Sequence, residues 1–163
     1  MIVVSDTSPL NYLVLINAID VLPTLFTEIY APTQVIDELK RSRAPDVVKR
    51  WAHSLPPWLR VSTPSTTVVT SVRLDAGELE ALALAKELRA ELILIDERTG
   101  RRVAKELGLD AVGTLNVLEF AAERKLLDLK QILDALRSTT FYITDEYINA
   151  ALERDAARKR GSV

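Results

Sequence analysis

The chain has 163 residues, a formal net charge of -2, one His and no Cys. Its 21 basic residues nearly balance its 23 acidic ones, which argues against a protein that coats nucleic acid nonspecifically, because such proteins are strongly basic. Without Cys there is no disulfide framework, zinc finger or thiol chemistry, so a metal would take mainly oxygen ligands, and those select hard ions such as Mg²⁺, Mn²⁺ or Ca²⁺.

Ile2 to Val4 is a short apolar run opening into Ser5-Asp6, which predicts a buried parallel strand. The N-terminus has no basic leader, and no segment approaches the roughly 20 apolar residues of a membrane span. The expectation is a cytoplasmic protein. Pro9 to Ile16 reads as a helix with Ser8 as its N-cap, followed by a short helix over Ile19 to Leu25. Glu28 to Ala31 predicts a strand, and Pro32 to Ser42 and Pro45 to Ser54 predict helices. Leu59 to Thr63 is a candidate strand. The Ser- and Thr-rich stretch Ser62 to Ser71 reads as a surface loop. Asp75 to Arg89 is the clearest helix and Leu92 to Ile95 the clearest buried strand. A helix over Glu97 to Leu107 is stopped by Gly108. A short strand over Asp110 to Val112 and helices over Leu115 to Glu123, Leu129 to Leu136 and Asp145 to Arg158 complete the pattern. Apolar strands alternating with helices predict an α/β fold whose mainly parallel sheet is covered on both faces. In such sheets a site lies beyond the carboxyl ends of the strands.

Two strands end in Asp. Asp6 leaves the first and Asp96 leaves Leu92 to Ile95, so parallel strands bring both to one edge. Either residue, taken alone, is equally well read as a cap for the following helix. Glu78 sits in Asp75-Ala76-Gly77-Glu78, where Asp75 and Glu78 have the spacing of a capping box. Helical periodicity nevertheless puts Glu78 on the side of Ala81, Leu82 and Ala85, the core side, and Glu80 on the wet side. A carboxylate at the core edge needs a partner, because buried charge is costly. Glu38, in Val35-Ile36-Asp37-Glu38-Leu39, is alone an ordinary helix carboxylate. Four such acids without a cation would repel one another. A divalent ion also supplies what phosphodiester cleavage needs, an activated water and neutralised phosphate charge.

With these residues placed, the sequence resembles the PIN-domain family, most closely the prokaryotic subgroup related to VapC-type toxin ribonucleases. The resemblance rests on Val4-Ser5-Asp6-Thr7-Ser8-Pro9-Leu10, Val35 to Leu39, Asp75 to Ala85, Ile95-Asp96-Glu97-Arg98 and Gly113-Thr114, in that order, and runs from Ile2 to about Leu152. It implies a three-layer α/β/α sandwich with a central mainly parallel sheet. The PIN-like nuclease domain would span residues 1–152, with residues 153–163 as a charged C-terminal tail. It implies a metal-dependent endoribonuclease that uses Mg²⁺ or Mn²⁺ on single-stranded RNA and leaves a 5′-phosphate and a 3′-hydroxyl. Homodimers and, for a toxin, an antitoxin protein are implied partners. The family's acids fall on Asp6, Glu38, Asp96 and Glu78, with Asp75 as a rival for the last place and Glu97 in support. Thr7 and Thr114 match small hydroxyl positions near the family's metal centre.

Arg98, Arg101, Arg102 and Lys105 follow Asp96 on neighbouring helix faces. Arg98 is the first candidate for phosphate contact, being nearest the metal end, although for most of these residues a solvated face, or ion pairs with Glu97 and Glu106, is the stronger reading. Trp51 and Trp58 suit packing better than base stacking, and His53 reads as a surface residue. Two other functions fit the chain less closely. A catalytically silent PIN-like binding module would not need all four acids. An Asp-based phosphatase would show Asp-x-Asp where this chain has Asp6-Thr7-Ser8.

Overall fold

The computed structural model describes residues 1–161. Five strands form one sheet: β1 (Ile2–Ser5), β2 (Glu28–Pro32), β3 (Leu59–Ser62), β4 (Leu92–Leu94) and β5 (Ala111–Val112). Their order is β3-β2-β1-β4-β5 and every pairing is parallel. Val4 pairs in register with Tyr30 on one side and Ile93 on the other. Successive residues of β1 point to opposite faces, and Val3 and Val4 are both 0% exposed. The sheet is therefore covered on both faces, as its near-continuous apolar strands require, and the architecture is α/β with helical layers around a parallel sheet.

The helices are α1 (Thr7–Leu15), α2 (Leu22–Leu25, entered through a 3₁₀ turn over Ile19–Val21), α3 (Thr33–Leu39), α4 (Asp46–His53), α5 (Ala76–Glu87), α6 (Arg98–Glu106), α7 (Thr114–Glu123), α8 (Leu129–Arg137) and α9 (Asp145–Gly161). On one face Val4, Ile93 and Ile95 meet Ala81, Leu82, Leu84 and Ala85 of α5 and Val103 and Ala104 of α6. Small residues on α5 let that helix lie close to the strands. Gly108, at φ +77, ends the α6 segment in the left-handed conformation that favours glycine.

Residues 1–114 form one compact unit and the chain from Leu115 onward a second. Within the second, Glu119 of α7 accepts from Tyr147 Oη at 3.0 Å and from Arg154 Nε at 2.9 Å, both on α9. The expected tail is helical as far as Gly161 and carries Asp155 paired with Arg158 and Lys159. Residues 162 and 163 of that tail lie outside the described residues. No single helix among the described residues is long and apolar enough to cross a membrane.

Candidate active site

Strand order reverses direction along the chain between β1 and β4. That switch point is where a doubly wound sheet opens a crevice at the carboxyl ends of its strands. Asp6 and Asp96 flank it. The Asp6 N–H donates to the Leu94 carbonyl at 2.9 Å, so the β1–β4 ladder continues one step past β1 and fixes Asp6 against the end of β4.

The capping alternative fails for both strand-end acids. Asp6, not Ser8, occupies the N-cap position of α1, because the helix starts two residues earlier than Pro9 suggested, but its side chain makes no capping hydrogen bond. Glu97, not Asp96, precedes α6. Asp96 instead accepts from the Thr114 N–H at 2.7 Å, from Thr114 Oγ1 at 2.8 Å and from Ser8 Oγ at 2.6 Å. Its carboxylate is thus held by residues distant in sequence.

Glu38 is held in the same way. Thr7 Oγ1 donates a short hydrogen bond to Glu38 Oε2, and the Gly77 N–H donates to Glu38 Oε1 at 3.1 Å. Gly77 is needed for that approach, since a Cβ there would lie 2.4 Å from Glu38 Oε2. The first turn of α5 therefore turns one free N–H group, that of Gly77, toward a carboxylate of α3, a favourable charge–dipole arrangement. Asp75 does cap α5, accepting from the Glu78 N–H at 2.8 Å.

Two acids lack such support. Asp6 is 4% exposed and its Oδ1 is buried without a hydrogen-bond partner. Burial pushes its carboxyl up to about 7. The nearby Asp75, Glu38 and Asp96 charges push the same way, against the Thr7 backbone N–H. Glu78 is 6% exposed. Burial first, then the charges of Asp75, Asp6 and Glu97, with a hydrogen bond to the Asp75 carboxyl, raise it to about 8. These two buried acids are thus the two most strongly destabilised as anions, and Asp75 lies within hydrogen-bond reach of Glu78.

The four expected acids and Asp75 are electrostatic neighbours at one sheet edge. Among the described residues, however, no three of them are drawn together into a ready-made metal-ligand set. A hard, largely hydrated ion still fits, because Mg²⁺ takes one or two carboxylates directly and keeps several waters. The donor set is all oxygen, and the unsatisfied Asp6 Oδ1 is the natural first ligand.

Thr7 and Thr114 are placed at the site, each holding an acid. Arg98 is exposed on the first turn of α6, and His53 is exposed. Sequence reasoning missed three contributors. Ser8 was read only as a cap, and the Thr-Ser pair after Asp6 was the available signal. Gly77 and Gly113 have no side chain to signal them, and their roles depend on carboxylates arriving from elsewhere.

An all-parallel sheet with acids along its switch point defines an α/β protein whose crevice lies at its strand ends. A family model described as a PIN domain matches residues 2–156, and the chain belongs to the PIN-domain family. The fold is thus of nuclease type, in a family that generally uses divalent metal ions. The chain is also similar in fold to a solved PilT N-terminus domain protein from the hyperthermophilic archaeon Sulfolobus solfataricus P2. That match has a TM-score of 0.50 at 17% identity and covers 88% of this chain and 100% of that one. No curated protein matches the chain.

Proposed function

We propose that this protein is a divalent-metal-dependent endoribonuclease acting on single-stranded RNA. The observation that carries the reading is Asp6 Oδ1, a buried acceptor with no partner, surrounded by further carboxylates at the switch point of a PIN domain. Such a group is expensive to bury unless something cationic meets it. Asp6, Glu38, Glu78 and Asp96 would hold Mg²⁺ or Mn²⁺, directly or through water, with Asp75 beside Glu78. The chemistry a divalent ion supplies when bound is a more acidic water and neutralised charge on the phosphate. The chain's own part is orientation. Thr7 and Gly77 hold the Glu38 carboxylate, Ser8 and Thr114 hold that of Asp96, and the ladder bond to Leu94 holds Asp6 between them. Groups fixed in this way need no reorganisation when substrate arrives.

The VapC-type toxin reading, with an antitoxin covering the site and a homodimer working in the cytoplasm, extends the same proposal. It is supported by the order and spacing of the sequence motifs. The second reading, a PIN-like binding module that no longer cuts, is favoured by the absence of a gathered metal-ligand set among the described residues.

The experiment is cleavage of a mixed single-stranded RNA pool by pure protein with Mg²⁺, with Mn²⁺ and with EDTA, beside Asp6→Asn. Metal-dependent cutting that drops roughly a hundredfold or more in Asp6→Asn is expected for a group that stabilises charge in the reaction. Full activity in Asp6→Asn and in Asp96→Asn would remove the proposed site. No cutting, together with no measurable Mn²⁺ binding, would favour the binding module.

A further inference from the structure

Asp96 and Arg101 converge on one backbone position. The point where a Gly113 Cβ would sit lies 2.8 Å from Asp96 Oδ1 and 3.2 Å from Arg101 Nη1. Only the missing side chain lets carboxylate and guanidinium share that space. Arg101 lies in the first turn of α6, where its N–H donates to the Glu97 carbonyl at 3.0 Å, and its side chain is half-buried. Arg98 and Arg102, by contrast, are exposed.

A half-buried guanidinium next to a carboxylate ordinarily pairs with it, because it has five donors and no acceptor. Arg101 does not. Its side chain makes no ion pair or hydrogen bond among the described residues. Asp96 is engaged instead by the Thr114 N–H and hydroxyl and by the Ser8 hydroxyl. The donors of Arg101 are therefore left beside the acid cluster without a protein acceptor. A cluster of acids repels an approaching polyanion, and a forked cation at its edge offsets that repulsion. The acceptors that match the fork are the non-bridging oxygens of a phosphodiester.

We propose that Arg101 binds a non-bridging phosphate oxygen of the nucleic-acid strand lying at the acid cluster, with Gly113 keeping the approach to it open. The inference rests on the nuclease reading above and names a substrate contact within it.

The test compares the unaltered protein with Arg101→Ala and Arg101→Lys. Cleavage of a short single-stranded RNA is measured first. Binding of the same RNA across a salt series is then followed in an Asp6→Asn background, where the strand stays intact. Loss of one charge-assisted contact is expected to lower kcat/KM by about 10- to 100-fold in Arg101→Ala. Arg101→Lys should recover part of this, since it keeps the charge and loses the fork. The slope of log affinity against log salt should fall by roughly 0.7 for one lost phosphate contact on a single strand. Mn²⁺ affinity should be unchanged. An unchanged salt slope, or a change in Mn²⁺ affinity without one, would overturn the proposal and make Arg101 a counter-charge of the acids instead. Should Arg101→Ala fail to fold, Arg101→Gln, which also removes the charge, carries the same comparison. An unaltered protein that neither binds nor cuts RNA would sink the nuclease reading itself, and this inference with it.

Discussion

Gly77 is the residue where function and stability part most sharply. In an open helix, replacing Gly by Ala is worth about 1 kcal/mol in favour of the folded state. Here the new methyl would collide with Glu38 Oε2, the mobile end of a long side chain. Glu38 can swing away at little cost to the fold, but it then loses its place at the site. Gly77→Ala is therefore expected to melt within about 1 kcal/mol of the unaltered protein while losing most metal-dependent cleavage. A melting curve and an RNase assay on the same sample check this, and unimpaired cutting would show that Glu38 has no part in the site. Asp6 and Glu78 make a second prediction at this scale. Unfolded, they titrate near 3.8 and 4.5; folded, at about 7 and about 8. Between about pH 4 and pH 8 the folded chain holds more protons than the unfolded one, so metal-free stability falls as pH rises through that window. Each group contributes at most about 1.4 kcal/mol per pH unit. Denaturant titrations in EDTA at pH 5 and pH 8 measure the slope, and Asp6→Asn should flatten it.

Among the elements, the connection from β3 to α5 has no regular structure, and one side chain pins it. Glu87, at the last turn of α5, accepts from Ser65 N at 3.0 and 3.1 Å, from Ser65 Oγ at 2.6 Å and from Thr66 N at 3.4 Å. The Ser65 hydrogen bonds hold its carboxyl below the ordinary range. This support is complete above the unfolded value of 4.5 and is lost as pH falls through the folded one. The pinned loop crosses a cavity of about 280 Å³ lined by Pro64, Thr66, Val68, Ala76, Leu79 and Ala83. Glu87→Ala is expected to raise hydrogen exchange and protease cleavage in the segment 63–75 while leaving the core of α5 protected. Unchanged exchange there would mean that the apolar contacts of Val68, Val72 and Leu74 hold the loop without Glu87. Local opening of this kind bears on function, because the same loop leads into Asp75 and the first turn of α5, where Glu38 is received.

For the molecule as a whole, acids that repel one another when folded should make the native state the metal-binding state. A ligand that binds only the folded chain stabilises it by about 2.7 kcal/mol at a hundredfold excess over Kd. For a chain of this length Mg²⁺ or Mn²⁺ should then raise Tm by roughly 5–10 °C at that excess. The rise should be larger at pH 8 than at pH 5, since the acids must be deprotonated to bind. A thermal shift with no metal dependence at either pH would argue for the silent binding module.

How much of this was legible in the sequence follows from what each level of structure depends on. The sequence by itself determined the parallel α/β class and the position of nearly every element, because apolar periodicity and Gly and Pro punctuation are local signals. It also determined Asp6 and Asp96 as strand-end acids and Glu78 as a core-facing one, since strand direction and helical phase follow from a few neighbouring residues. Only the tertiary structure decided which side chains hold those acids. Thr7 meets Glu38 across 31 positions and Ser8 meets Asp96 across 88, and no local pattern encodes a pairing at that range. It likewise decided that Asp6 caps nothing, that Gly77 and Gly113 matter because they lack side chains, and that Arg101 rather than its neighbours stands at the cluster. Those outcomes depend on which groups are already satisfied by hydrogen bonds, and that is settled only when the strands are in register and the helices packed.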